Sequence, residues 1–122
     1  MGKQGPLNIA SYAKMAGFSE ANLLAAVAIA LAESSGNPKA YNPEIGVGAP
    51  QGKGSYGLWQ IYLNAHPEFE GLDLYDPLTN AKAAYRIYQD AGYSFRPWST
   101  YLSGAYTAHL SEAEGLKLEA SV

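Results

Sequence analysis

The chain has no cysteine among its 122 residues, which excludes disulfides, thiolate metal sites and a cysteine nucleophile and leaves stability to packing alone. It also lacks any block of one charge sign. The eight lysines and arginines are scattered singly and the net charge is -3, so nothing resembles the basic stripe that a nucleic-acid surface needs, and no nucleic acid is expected as a partner. Long apolar runs are missing as well. The longest, Leu23 to Ala32, is too short to span a bilayer, and the start from Met1 to Pro6 lacks the apolar core of a signal peptide. Histidine is sparse: His66 and His109 stand apart and read as solvated or core-edge side chains, so neither a metal nor another cofactor is expected.

What is present suits a packed globule. Apolar residues make up 48% and charged residues 16%, against extended disorder. The length is that of one core, and residues 1–122 read as a single domain without internal repeats.

The apolar spacing predicts a mainly helical architecture. Leu7, Ile9, Tyr12 and Ala13 form a first amphipathic helix that stops at Gly17, a residue type favoured just past a helix end. Ser19 is placed to cap a second helix running to about Ser35, ended by Gly36-Asn37-Pro38. From Asn37 to Gly54, Pro38, Pro43, Pro50 and the interspersed glycines predict an ordered loop without regular elements. Its Gly46-Val47-Gly48 and Gly52-Lys53-Gly54 do not open a helix with Lys-Ser or Lys-Thr, so they read as turn chemistry and not as a phosphate cradle. Ser55 to Leu63 is too short to distinguish strand from helical turn by periodicity. Asp76-Pro77 is an N-cap with proline at the first helical position, opening a helix to Gly92. Arg96-Pro97-Trp98 restarts a helix carrying Tyr101, Leu102 and Ala105, Gly104 is placed for close approach of another segment, and Ser111 is placed to cap a last turn. The expected whole is a helical bundle with irregular loops forming one wall of a cleft.

One residue stands out chemically. Ala26, Ile29, Ala30 and Glu33 fall three or four apart, so the carboxylate continues an apolar stripe. Desolvation and the negative end of the helix dipole both raise the pKa of an acid placed there. A carboxyl that keeps its proton near neutral pH, beside aromatic side chains, suits protonation of a leaving sugar oxygen.

Four blocks in order then resemble the soluble lytic transglycosylase family: Glu33-Ser34 with Gly36-Asn37-Pro38-Lys39-Ala40; Gly57-Leu58-Trp59-Gln60-Ile61; Asp76-Pro77 with Asn80; and Thr100-Tyr101-Leu102-Ser103-Gly104. The match covers about Leu24 to Tyr106. It implies a mainly α, lysozyme-like fold acting on peptidoglycan glycan strands, with Glu33 as catalytic acid and base and Gln60 touching sugar. It further implies that Tyr101 orients Glu33 through its hydroxyl and that Tyr62 and Trp98 serve as sugar platforms. The family's substrate-contacting serine corresponds to Asn42 or to Ser55. Two departures stand out: Trp59 replaces a usual Met and is expected to reshape the groove, and Leu102 replaces a usual Asn and removes a polar contact behind the cleft.

Hydrolysis of a glycosidic bond ordinarily uses a second carboxylate. Between Glu33 and Glu68 the only acid is Glu44, assigned to the loop, so the resemblance favours the substrate-assisted route that breaks the β-1,4 bond between MurNAc and GlcNAc and closes a 1,6-anhydro ring within the MurNAc unit. A hydrolytic muramidase similar to goose-type lysozyme follows if Glu44 folds over the cleft. A catalytically silent wall-binding or virion module is the third reading, disfavoured by the retention of Glu33 and Tyr101. The domain is expected to be monomeric, within a larger chain or a virion assembly, and to act at the cell wall in the periplasm, outside the cell or on a virion.

Overall fold

A computed structural model describes residues 4–113. The expectations for Met1 to Lys3, and the part of the single-domain assignment past residue 113, lie outside the described residues. Helices dominate, as expected. α1 spans Pro6–Ala16, α2 Glu20–Ser34, α3 Pro77–Asp90 and α4 Ser99–Leu102. Short 3-10 turns lie at Ile45–Val47, Pro67–Phe69 and Ala105–His109.

α2 is the central element. Ala26 through Leu31 are all buried, so α2 is a core helix whose buried surface extends beyond the single apolar stripe of Ala26, Ile29 and Ala30 that leads to Glu33. α1 packs against α2 and α3, and α2 is also covered by the Ala105–His109 turn and by α4, which meets it at Glu33. Between these helices runs a continuous set of aromatic contacts. Phe18 meets Trp59, Tyr85, Tyr88 and Phe95, and Phe95 leads on to Trp98 and Tyr101. The Tyr85 and Tyr88 pair is thus packing, as its helical spacing implies.

Helix ends follow local chemistry unevenly. Asp76 caps α3 by accepting the Thr79 backbone N–H at 3.0 Å. Ser19 occupies the N-cap of α2 but makes no side-chain cap bond; its hydroxyl accepts from the Asn22 amide instead. α4 starts later than expected, at Ser99 with Trp98 as its N-cap, and is a single turn. Ser111 lies inside a helical turn at 110–113 and does not precede it. Gly104 has nothing within 4 Å of an added Cβ; its φ of +81° is what calls for glycine, not close approach.

The loop wall is more ordered than the sequence suggested. A three-stranded antiparallel sheet, β1 (Tyr41–Asn42), β2 (Ser55–Tyr56) and β3 (Ile61–Tyr62), is built from two-residue strands. The register sets Asn42 opposite Ser55 and Ser55 opposite Tyr62. The prediction of no regular element in 37–54 is therefore corrected at β1 and at the Ile45–Val47 turn, and the ambiguous 55–63 segment is a hairpin. Strands of two residues show no alternation to read.

Asn80 anchors the hairpin. It is fully buried on α3, accepts the Trp59 backbone N–H at 2.8 Å and donates to the Tyr56 and Leu74 carbonyls at 2.7 and 2.9 Å. Gly57 makes this approach possible. Its φ is +77°, and a Cβ there would sit 2.3 Å from the Asn80 amide nitrogen.

Candidate active site

Helix α2 delivers Glu33 to the edge of an open cleft of about 350 Å³. One wall comes from the hairpin through Ser55, Gln60 and Tyr62, another from Pro97, Trp98 and Ser99 ahead of and within α4, and the rim from Glu44 and Val47. The Glu33 carboxyl is half-buried and accepts a hydrogen bond from the Thr100 hydroxyl, Oγ1 to Oε2, at 2.8 Å. Burial pushes its pKa up from the ordinary carboxylate value. The Thr100 hydroxyl and backbone amide pull in the opposite direction, and the charge of Glu44 adds a further upward push. Desolvation dominates, as the stripe of apolar neighbours implied.

Glu44 is the second carboxylate of the cleft. It has φ +55°, a left-handed conformation that turns the chain sharply. The carbonyl of Glu44 accepts the Val47 and Ala49 N–H groups, while its side chain reaches inward to accept the Ser55 hydroxyl at 2.7 Å. Ser55, buried in the sheet, thereby fixes where the Glu44 carboxylate stands. Ile45 and Val47 are left protruding at the rim.

The remaining expected site residues divide. Gln60 and Tyr62 line the cleft; the Gln60 amide nitrogen donates to the Ala40 and Gly57 carbonyls, which orients the side chain. Of the two serine-equivalent candidates, Ser55 lines the cleft, whereas Asn42 is exposed outside the lining and uses its side-chain oxygen to accept the Glu44 N–H. Trp98 reaches the cleft but is only 5% exposed. Its indole N–H donates to the Trp59 carbonyl at 2.8 Å, so it is mostly a packed core residue and not an open platform.

Tyr101 does not make the expected bond. Its ring packs between Phe95 and Tyr106, at centroid distances of 5.8 and 5.1 Å, and the hydrogen bond to Glu33 comes from the preceding residue, Thr100. One turn of helix points neighbouring side chains in different directions, so a one-residue difference reassigns the donor. Trp59 does not reshape the groove either: it is fully buried, with its indole N–H on the Ala26 carbonyl. Leu102 is exposed and not behind the cleft.

Sequence reasoning missed two contributors, Thr100 and His66, and left the placement of a third, Glu44, open. Thr100 carried no signal beyond its place beside Tyr101. For Glu44 the sequence leaves open whether it folds over the cleft; its inward turn depends on a left-handed backbone, φ +55°, that no non-glycine residue announces. His66, treated as isolated, lines the cleft, lies 3.7 Å from a Glu68 oxygen and packs beside Phe69. His109 likewise has an acidic neighbour, Glu112, at 3.0 Å. Among the described residues no group of three or more His, Asp or Glu side chains is arranged to hold a metal ion.

A helical domain with a carboxylic acid at the head of a groove defines the class as lysozyme-like. The family profile described as a lysozyme-like domain matches residues 10–100, so the chain belongs to that family, whose members are peptidoglycan-directed glycosidases in kind. No curated protein matches the chain, and no solved structure does. Among the described residues no helix is long and apolar enough to cross a membrane.

Proposed function

We propose that the chain acts as one catalytic domain that cleaves the β-1,4 bond between MurNAc and GlcNAc in peptidoglycan, with Glu33 as its acid and then its base. The observation that carries this reading is a cleft-facing carboxyl held by Thr100 and raised in pKa by burial. An acid in that state donates its proton to the leaving GlcNAc oxygen as the bond to the MurNAc anomeric carbon breaks. In the substrate-assisted route the N-acetyl carbonyl oxygen of MurNAc attacks that carbon. The Glu33 carboxylate then removes the proton of the MurNAc 6-hydroxyl, whose oxygen displaces the N-acetyl oxygen and closes the 1,6-anhydro ring without consuming water. Ser55, Gln60 and Tyr62 form the wall against which the sugars lie.

A specific observation favours a second reading, hydrolysis. Glu44 shares the cleft with Glu33 and is held there by Ser55, where a carboxylate can orient an attacking water. Purified peptidoglycan digested by the parent protein and analysed by mass spectrometry separates the two. Anhydro-ended muropeptides, lighter by one water, are expected for the first route, and fully hydrated ends that disappear in Glu44→Gln would establish the second. Absence of any released muropeptide from the parent refutes both.

A further inference from the structure

Glu33 sits on a closed circuit of hydrogen bonds that leaves helix α2 and returns to it. The circuit begins at the Ala26 carbonyl, seven residues before Glu33, which accepts the Trp59 indole N–H at 3.0 Å. The Trp59 carbonyl accepts the Trp98 indole N–H at 2.8 Å. Trp98 is the N-cap of α4, and its carbonyl accepts the Tyr101 and Leu102 N–H groups at 3.0 and 3.2 Å. That turn carries Thr100, whose hydroxyl closes the circuit on Glu33 Oε2 at 2.8 Å. We propose that Trp59, Trp98 and Thr100 act together as a positioning belt for the Glu33 carboxyl, with Thr100 as its terminal contact.

Three features give the belt its direction. Both indoles are buried, and each has a single N–H donor with one defined acceptor, so neither ring can turn without leaving that donor unpaired. The Asn80 side chain holds the Trp59 backbone N–H at 2.8 Å, which fixes the middle of the circuit to α3. The belt's exposed end is the cleft carboxyl, engaged through Oε2. Trp98 accordingly serves the site through its N–H and not through its ring face, and it is a positioning residue, as are Trp59 and Thr100.

This inference rests on the reading of Glu33 as the acid, so its test includes a measurement independent of turnover. Thr100→Val removes the hydroxyl at nearly constant shape, and Thr100→Ser restores it. In protein carrying carbon-13-labelled glutamate, with the Glu33 signal assigned through Glu33→Gln, the Glu33 carboxyl of Thr100→Val should titrate at higher pH than in the parent. Thr100→Ser should titrate with the parent. On peptidoglycan, Thr100→Val and Trp98→Phe should each lower kcat by roughly tenfold, the loss of about one hydrogen bond's worth of orientation, with KM unchanged. An unshifted titration in Thr100→Val overturns the proposal, and so does a Trp98→Phe variant whose KM rises while kcat holds, which is the signature of a sugar platform. If the parent releases no muropeptides, the functional reading fails, and the titration alone decides the belt.

Discussion

Replacing Asn80 by Ala tests whether the cleft wall depends on one buried amide. The side chain makes three hydrogen bonds, to the Trp59 N–H and to the Tyr56 and Leu74 carbonyls, and it is wholly shielded from water. Truncation strands the Trp59 N–H beneath a fully buried indole residue, at a cost of about 1–3 kcal/mol, and weakens the solvation of two carbonyls by about 1 kcal/mol each. The sum, roughly 3–5 kcal/mol, is a large part of the 5–15 kcal/mol typical of a whole domain. With a urea slope of about 1–3 kcal/mol/M, the unfolding midpoint should fall by about 2 M. Circular dichroism through a urea titration reads this directly. Asn80→Asp should not rescue it, because an aspartate keeps the acceptor for Trp59 but presents its carboxylate to the two carbonyls. A midpoint within about 0.5 M of the parent, or full recovery in the aspartate variant, would refute the reasoning.

Glu33→Gln should lower peptidoglycan cleavage by at least about 100-fold, because the amide cannot donate and recover a proton, while sedimentation with purified cell wall remains at the parent level. The same variant has a pH signature. Because the folded-state pKa of Glu33 is raised, its contribution to stability is full in acid and is lost as pH rises through the folded value, so Glu33→Gln should melt higher than the parent at neutral and alkaline pH and lose that advantage in acid. Gly57→Ala should destabilise by about 2 kcal/mol or more in the same urea assay, since φ of +77° and the Asn80 amide both oppose a Cβ. Asp76→Ala removes a cap that accepts from both the Thr79 N–H and hydroxyl, and thermal melts should show a loss of about 1 kcal/mol.

The legible parts of the molecule are those with short-range physical causes. Pro77 after Asp76, the apolar spacing of α1 and α3 and the glycine at the end of α1 lie within a few residues of the elements they specify, and each element formed within two residues of its expected bounds. The two-residue strands were invisible because pairs such as Tyr41 with Tyr56 and Asn42 with Ser55, 15 and 13 residues apart, leave no local period. A still longer separation in sequence, 67 residues, hid the bond between Thr100 and Glu33.

The sequence by itself determined that the chain is helical, that Glu33 ends an apolar helix and that its proton is held more tightly than usual, because periodicity, composition and desolvation are properties of a residue and its near neighbours. Only the tertiary structure decided that Thr100 and not Tyr101 holds the carboxyl, that Trp98 is core and that Glu44 faces the cleft. Those outcomes depend on side-chain direction within a helical turn and on a left-handed backbone at Glu44, both fixed by packing between segments far apart in the chain.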